Sequence, residues 1–196
     1  GNPLVYITCL TLFIGNITAV YQQSFKRMLA YSSISHAGYL LITVLAKTPT
    51  TNSSILFYSL AYSIATISAF AVLMAVSEAQ AKTGKTDESF NALNGLAKNN
   101  PLLAFALAVS MLSLAGIPLT AGFFGKFSLL WSAAPHVPYT AILALIASVI
   151  GAFVYLRLMI SALNKPKVTL PIHLSFEQVL VLVLTTLATL GALYFI

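Results

Sequence analysis

The run from Pro101 to Ala134 reads PLLAFALAVSMLSLAGIPLTAGFFGKFSLLWSAA, almost wholly apolar, and is too long to cross a membrane as one straight helix. At 1.5 Å per residue it would reach about 50 Å, against about 30 Å of hydrocarbon. Its middle, Leu114-Ala-Gly-Ile-Pro-Leu-Thr-Ala-Gly122, resolves the mismatch. Pro118 lacks a backbone donor and collides with the preceding turn, while Gly116 and Gly122 lower helical preference on both sides. The spacing predicts two half-helices meeting at a break near 116–122. Backbone groups freed at such a break must be buried in protein or meet water, and transporters use this arrangement for ion sites.

Five further apolar stretches, about 3–21, 28–46, 54–77, 138–161 and 174–196, are each near the roughly 20 residues a span requires. The 196 residues are 59% hydrophobic and only 7% charged, whereas soluble domains carry about 25% charged residues. The reading is an all-α membrane protein of about six transmembrane helices, the fourth discontinuous. Residues 1–161 form five spans; 162–196 supply a connection and a C-terminal span. The longest polar segment, Ser77 to Asn100, is too short to bury a core of its own, which excludes a soluble catalytic domain. A short surface helix is expected over Asp87–Lys98.

Net charge is +6, and its placement separates the chain from nucleic-acid binders. Lys26 and Arg27, Lys82, Lys85 and Lys98, and Arg157, Lys165 and Lys167 all fall on one side of the predicted membrane. The other side has only Lys47, so the odd connections are expected in the cytoplasm, with both ends of the chain facing the periplasm. Gly1 follows no initiator methionine and no signal-peptide pattern, and reads as an internal residue of a longer protein. The single cysteine, Cys9, permits neither a disulfide nor a cysteine metal site within the chain. Phosphate loops, HExxH, CxxC clusters and nucleophile elbows are absent from the sequence, so a self-contained enzyme is not expected.

Two side chains stand out inside the apolar zone. Lys126 follows Pro118 by eight residues, and a central lysine costs about 3 kcal/mol to insert unless it is neutralised, hydrated or paired. It is a candidate for taking up and releasing a proton; the competing reading is snorkelling of its stem to the nearer interface. His36 lies about 15 Å along a helix from Lys26. An imidazole there suits a proton relay, with Ser32 and Ser33 four and three residues earlier offering hydroxyls, or else is a packed structural residue. Lys26 reads first as an interfacial anchor and second as one end of a relay. The hydroxyls of the third span, among them Tyr58, Tyr62, Thr66 and Ser68, read as helix-packing groups bonded to neighbours or backbone. The last two spans carry no evident chemistry.

Lys26-Arg-Met-Leu-Ala-Tyr-Ser-Ser-Ile-Ser-His-Ala-Gly-Tyr39 and Leu114-Ala-Gly-Ile-Pro-Leu-Thr-Ala-Gly-Phe-Phe-Gly-Lys-Phe127 together resemble the antiporter-like membrane subunits of respiratory complex I, the NADH-quinone oxidoreductase. The Ser-Ile-Ser-His form with Gly-Lys-Phe resembles the subunit N branch; subunit M typically has glutamate at the place of Lys126. The resemblance implies two inverted five-helix repeats in a full subunit, of which this chain matches the second plus the final helix. It implies that Lys126 exchanges protons with the outer side and that His36 lines a hydrated axis. It also implies a bacterial inner membrane location and other complex I membrane subunits as partners. NADH, FMN, iron–sulfur clusters and quinone are expected in other subunits, and no cofactor or redox site in this chain. Two rival functions stay open: a subunit of a multisubunit cation/proton antiporter, and a structural helix bundle without transport.

Overall fold

The computed structural model describes residues 2–84, 86–164 and 172–191, so Gly1, Lys85, Lys165, Lys167 and the end of the sixth predicted span lie outside the described residues. Among the described residues eight α-helices run in the order α1 Pro3–Tyr21, α2 Phe25–Ala46, α3 Thr51–Ala81, α4 Leu96–Asn99, α5 Pro101–Ala115, α6 Ala121–Ala133, α7 Pro138–Leu163 and α8 Phe176–Gly191. Four of them, α1, α2, α3 and α7, are each long and apolar enough to cross a bilayer. The long apolar run is divided into α5 and α6, with Gly116–Thr120 between them. The described residues form a helical bundle whose long apolar helices are those of an integral membrane protein.

Local chemistry sets the helix starts. Asn2 accepts from the Leu4 amide and is followed by Pro3; Asn100 accepts from the Leu103 amide and is followed by Pro101. Each pairs a capping side chain with a proline at a position where its missing N–H is not needed. Ser24 caps α2 in the same way through the Arg27 amide. The helix α3 runs beyond its predicted limits at both ends, carrying Ser77 and Glu78 within it.

The polar stretch after α3 is not a surface helix. It makes a 3₁₀ turn at Phe90–Leu93 and then the single turn α4, burying Phe90, Leu93 and Leu96. Backbone bonds from Phe25 N to Glu88 O and from Phe90 N to Gln23 O pin it beside the α1–α2 turn. Those bonds turn its apolar side chains inward, which a reading of its charges alone does not anticipate.

Helices α1 and α2 approach closely: a Cβ on Gly15 would lie 2.6 Å from the Ser35 amide nitrogen. Small residues allow such approach where lipid supplies no hydrophobic drive. Buried apolar side chains divide into two clusters. One gathers Phe25, Met28 and Leu29 of α2, Leu107 and Leu114 of α5, and Val154 and Leu158 of α7. The other gathers Leu12, Tyr39, Ile42, Tyr58, Leu129 and Ala147. Between the clusters, at matching positions along the helices, fall Asn16 of α1, Ser32 and His36 of α2, Ser148 of α7 and the α5–α6 break. The two apolar clusters thus bracket a polar layer.

Candidate functional site

The break is closed by reciprocal capping. Helix α5 ends at Gly116, whose φ of 76° is reached freely by glycine, and Leu119 also adopts a positive φ of 79°. An α-helix leaves its last four carbonyls without intrahelical partners. For α5 these are Leu112, Ser113, Leu114 and Ala115. Ile117 N donates to Leu112 O and Gly116 N to Ser113 O, each at 3.0 Å, the paired bonds of a Schellman turn. The remaining two are taken by Lys126, whose Nζ donates to Leu114 O at 2.9 Å and Ala115 O at 3.1 Å. In return the Ser113 hydroxyl of α5 accepts from Gly122 N in the first turn of α6, at 3.1 Å.

Lys126 is 7% exposed, which overturns the snorkelling alternative. Its ammonium lies at the C-terminal end of a half-helix, where the helix dipole favours a cation. The third contact is with Ser148 Oγ of α7 at 3.4 Å, and Nζ lies 5.0 Å from the centre of the Tyr39 ring. None of these partners is a carboxylate. The four acidic residues, Glu78, Asp87, Glu88 and Glu177, lie in connections or near helix ends. A cavity of about 430 Å³ leads away from Lys126 and Ser148, between α6 and α7, towards Trp131 and Pro138.

Gly116 and Gly122 sit at the break because side chains do not fit there. A Cβ on Gly116 would lie 2.9 Å from Lys126 Cδ, and one on Gly122 would fall on the Ser113 carbonyl oxygen. Pro118 occupies the connection that α5 cannot continue through.

His36 is buried and held through both ring nitrogens. Nδ1 is 2.5 Å from the Tyr58 hydroxyl and Nε2 is 3.1 Å from the Tyr155 hydroxyl. Tyr155 Oη is also bonded to Ser32 Oγ. The rings of Tyr62 and Tyr39 flank the imidazole at 4.3 and 6.1 Å between centroids. Tyr39 therefore stands between the two ionisable groups, with its hydroxyl donating to Ala144 O at 3.4 Å.

Three sequence expectations change. Ser33 does not share the face of His36: it is exposed and its hydroxyl donates to Ala30 O. Successive helical residues are 100° apart, so the arc that buries Ser32, Ser35, His36 and Tyr39 leaves Ser33 outside it. Lys26, in the first turn of α2, is exposed and stands apart from the polar layer, a placement that agrees with its first reading as an interfacial anchor and gives the relay-end alternative no support. The helix α7, read as chemically blank, supplies both Ser148 and Tyr155. In α3, Tyr58 bonds the histidine, while the Ser68 hydroxyl is buried with no hydrogen-bond partner among the described residues. Tyrosine in an apolar helix was the only sequence signal for Tyr58 and Tyr155.

A membrane bundle with one helix interrupted midway, a buried amine capping the interruption and a histidine in an adjoining polar layer is an architecture met among membrane transporters. The chain belongs to the NADH:quinone oxidoreductase/Mrp antiporter transmembrane family, whose profile matches residues 1–151. It is 47% identical over 154 residues to NADH-quinone oxidoreductase subunit N 1 of Herpetosiphon aurantiacus, covering 77% of this chain and 30% of that protein. It is 43% identical over 168 residues to subunit N of Trichlorobacter lovleyi, covering 85% and 34%. A chain of respiratory complex I from Thermus thermophilus with bound aureothin superposes with a TM-score of 0.84 at 34% identity, over 96% of this chain and 42% of that one. A chain of the Mrp complex from Dietzia sp. DQ12-45-1b does so with a TM-score of 0.75 at 29% identity, over 84% and 30%. The chain spans about a third of the length of the curated relatives it matches.

Proposed function

We propose that this chain is part of a subunit N of NADH-quinone oxidoreductase and supplies part of a proton path across the membrane arm. Residues 1–161 act as one five-helix repeat and the last helix closes it. The similarity to two subunit N proteins supports this assignment. Other membrane subunits are its partners, and NADH, flavin, iron–sulfur and quinone chemistry belongs elsewhere in the complex. The excess of Lys and Arg on one side supports a bacterial inner membrane orientation with the odd connections in the cytoplasm.

The observation that carries the proposal is a buried Lys126 whose charge is met by carbonyls and one hydroxyl in place of a carboxylate. An ammonium donates all three protons: two to Leu114 O and Ala115 O, the third to Ser148 Oγ. A neutral amine keeps two N–H bonds for the same carbonyls, and its lone pair accepts from the Ser148 hydroxyl, which turns from acceptor to donor. Lys126 thus keeps all three of its contacts in either charge state. The cavity towards Trp131 leads to the outer side in this orientation, and the polar layer leads to His36. Tyr39 separates the two, so water or a turn of that side chain completes the link.

Lys126→Met in the assembled complex tests the role. The expected result is a lower proton-to-electron ratio with NADH oxidation and assembly retained; an unchanged ratio overturns it. The second reading, a subunit of a cation/proton antiporter, is favoured by the likeness to the Mrp complex chain. Flavin and iron–sulfur absorbance in the purified complex separates the two.

A further inference from the structure

We propose that Tyr58 and Tyr155 are proton-relay residues that let His36 change protonation state without moving, and that Ser32, Tyr155, His36 and Tyr58 act as one wire. The inference rests on the proton-path reading above and names the groups through which that path passes. The four polar groups are joined in sequence: Ser32 Oγ to Tyr155 Oη, Tyr155 Oη to His36 Nε2, and His36 Nδ1 to Tyr58 Oη. They come from three helices, α2, α7 and α3, and Ser32, His36, Tyr58 and Tyr155 are all buried.

The choice of partner is what gives the arrangement its chemistry. Carbonyls only accept and ammonium groups only donate, so either would fix one state of a histidine. A phenol donates and accepts. With two phenols, the imidazole is satisfied as either neutral tautomer and also as imidazolium, when both nitrogens donate. A histidine kept only for packing needs one fixed acceptor for its N–H, such as a backbone carbonyl, and one fixed donor for its other nitrogen.

The wire has two polarities, and passage of one proton exchanges them. In the first, Ser32 donates to Tyr155, Tyr155 to Nε2, and Nδ1–H to Tyr58. A proton arriving on the Ser32 oxygen moves the Ser32 proton to Tyr155, the Tyr155 proton to Nε2, the Nδ1 proton to Tyr58, and the former Tyr58 proton onward. One O–H or N–H bond forms for each that breaks, and the wire ends neutral with Tyr58 donating to Nδ1, Nε2–H to Tyr155 and Tyr155 to Ser32.

Its two ends point to different places. Ser32 is one helical turn nearer than His36 to the Lys26 end of α2. At the other end the Tyr58 ring packs on Gly125, where a Cβ would lie 3.0 Å from Tyr58 Cδ2, and the next residue is Lys126. The titratable groups facing His36 are Tyr39 of its own helix, Tyr58 and Tyr62 of α3, Tyr155 of α7 and, beyond Tyr39, Lys126 of α6.

The test uses Tyr58→Phe and Tyr155→Phe in the assembled complex, beside Lys126→Met. Each phenylalanine keeps the ring and removes the hydroxyl. Coupled proton translocation is expected to slow about tenfold, the scale of losing a hydrogen bond to a charged group, with a larger solvent deuterium isotope effect. A role in packing alone would leave the isotope effect unchanged. A fluorotyrosine at 155, which keeps the hydroxyl in place and makes the phenol more acidic, should also change the rate and covers the case in which either variant fails to assemble. Normal pumping and isotope effect in all three, with Lys126→Met impaired, overturns the relay and leaves the proton-path reading standing. A normal Lys126→Met complex overturns that reading itself.

Discussion

Lys126 and His36 are both ionisable side chains buried in the same polar layer, yet their surroundings are built on opposite plans. Lys126 is held by two backbone carbonyls that can only accept, and one hydroxyl. His36 is held by two hydroxyls that can do either. Fixed acceptors anchor a side chain, whereas reversible ones let its protonation change without rearrangement. The lysine site is therefore a structural cap with one adjustable contact, and the histidine site is adjustable on both sides.

Substitutions at the break should have the largest effect. Gly122→Ala places a methyl on the Ser113 carbonyl and forces α5 and α6 apart; overpacking of this kind costs about 3 kcal/mol or more. Loss of assembled complex on a native gel is the expected outcome, and normal assembly would show that the two half-helices tolerate separation. Ser148→Ala removes the one adjustable partner of Lys126. It should leave assembly intact and slow proton translocation severalfold, with Ser148→Thr restoring it; equal rates in the two variants would make Ser148 incidental. Ser113→Ala removes the cap on α6, worth about 1 kcal/mol at a helix N-terminus. A modest fall in thermal stability is expected, with proton translocation little changed. Ser33→Ala should be silent, within about 0.5 kcal/mol in stability and without effect on transport. A transport defect there would return Ser33 to the site from which its exposure removes it.

The break was legible because its causes are local: Gly116, Pro118 and Gly122 act on the backbone within a few residues of themselves. Lys126 was legible for a related reason, since an amine eight residues past a helix stop has no nearby route to water. The histidine clamp was not. Tyr58 and Tyr155 lie 22 and 119 residues from His36 in the chain, and in an otherwise apolar helix each looks like a packing residue. Ser33 was misplaced because three and four residues of separation both fall near a common face, and only the packing of α1, α3 and α7 chooses between them. The segment around Phe90 was misread for a similar reason: its inward side is set by backbone bonds to Gln23 and Phe25.

Arginine at position 126 offers the most direct test, because a guanidinium keeps a cation at the end of α5 but does not give up its proton in a protein. With Lys126→Arg in the assembled complex, reconstituted into proteoliposomes, NADH oxidation should persist while the proton-to-electron ratio falls to that of Lys126→Met. A wild-type ratio with arginine in place would show that the site needs only a fixed positive charge, and would contradict a lysine that switches.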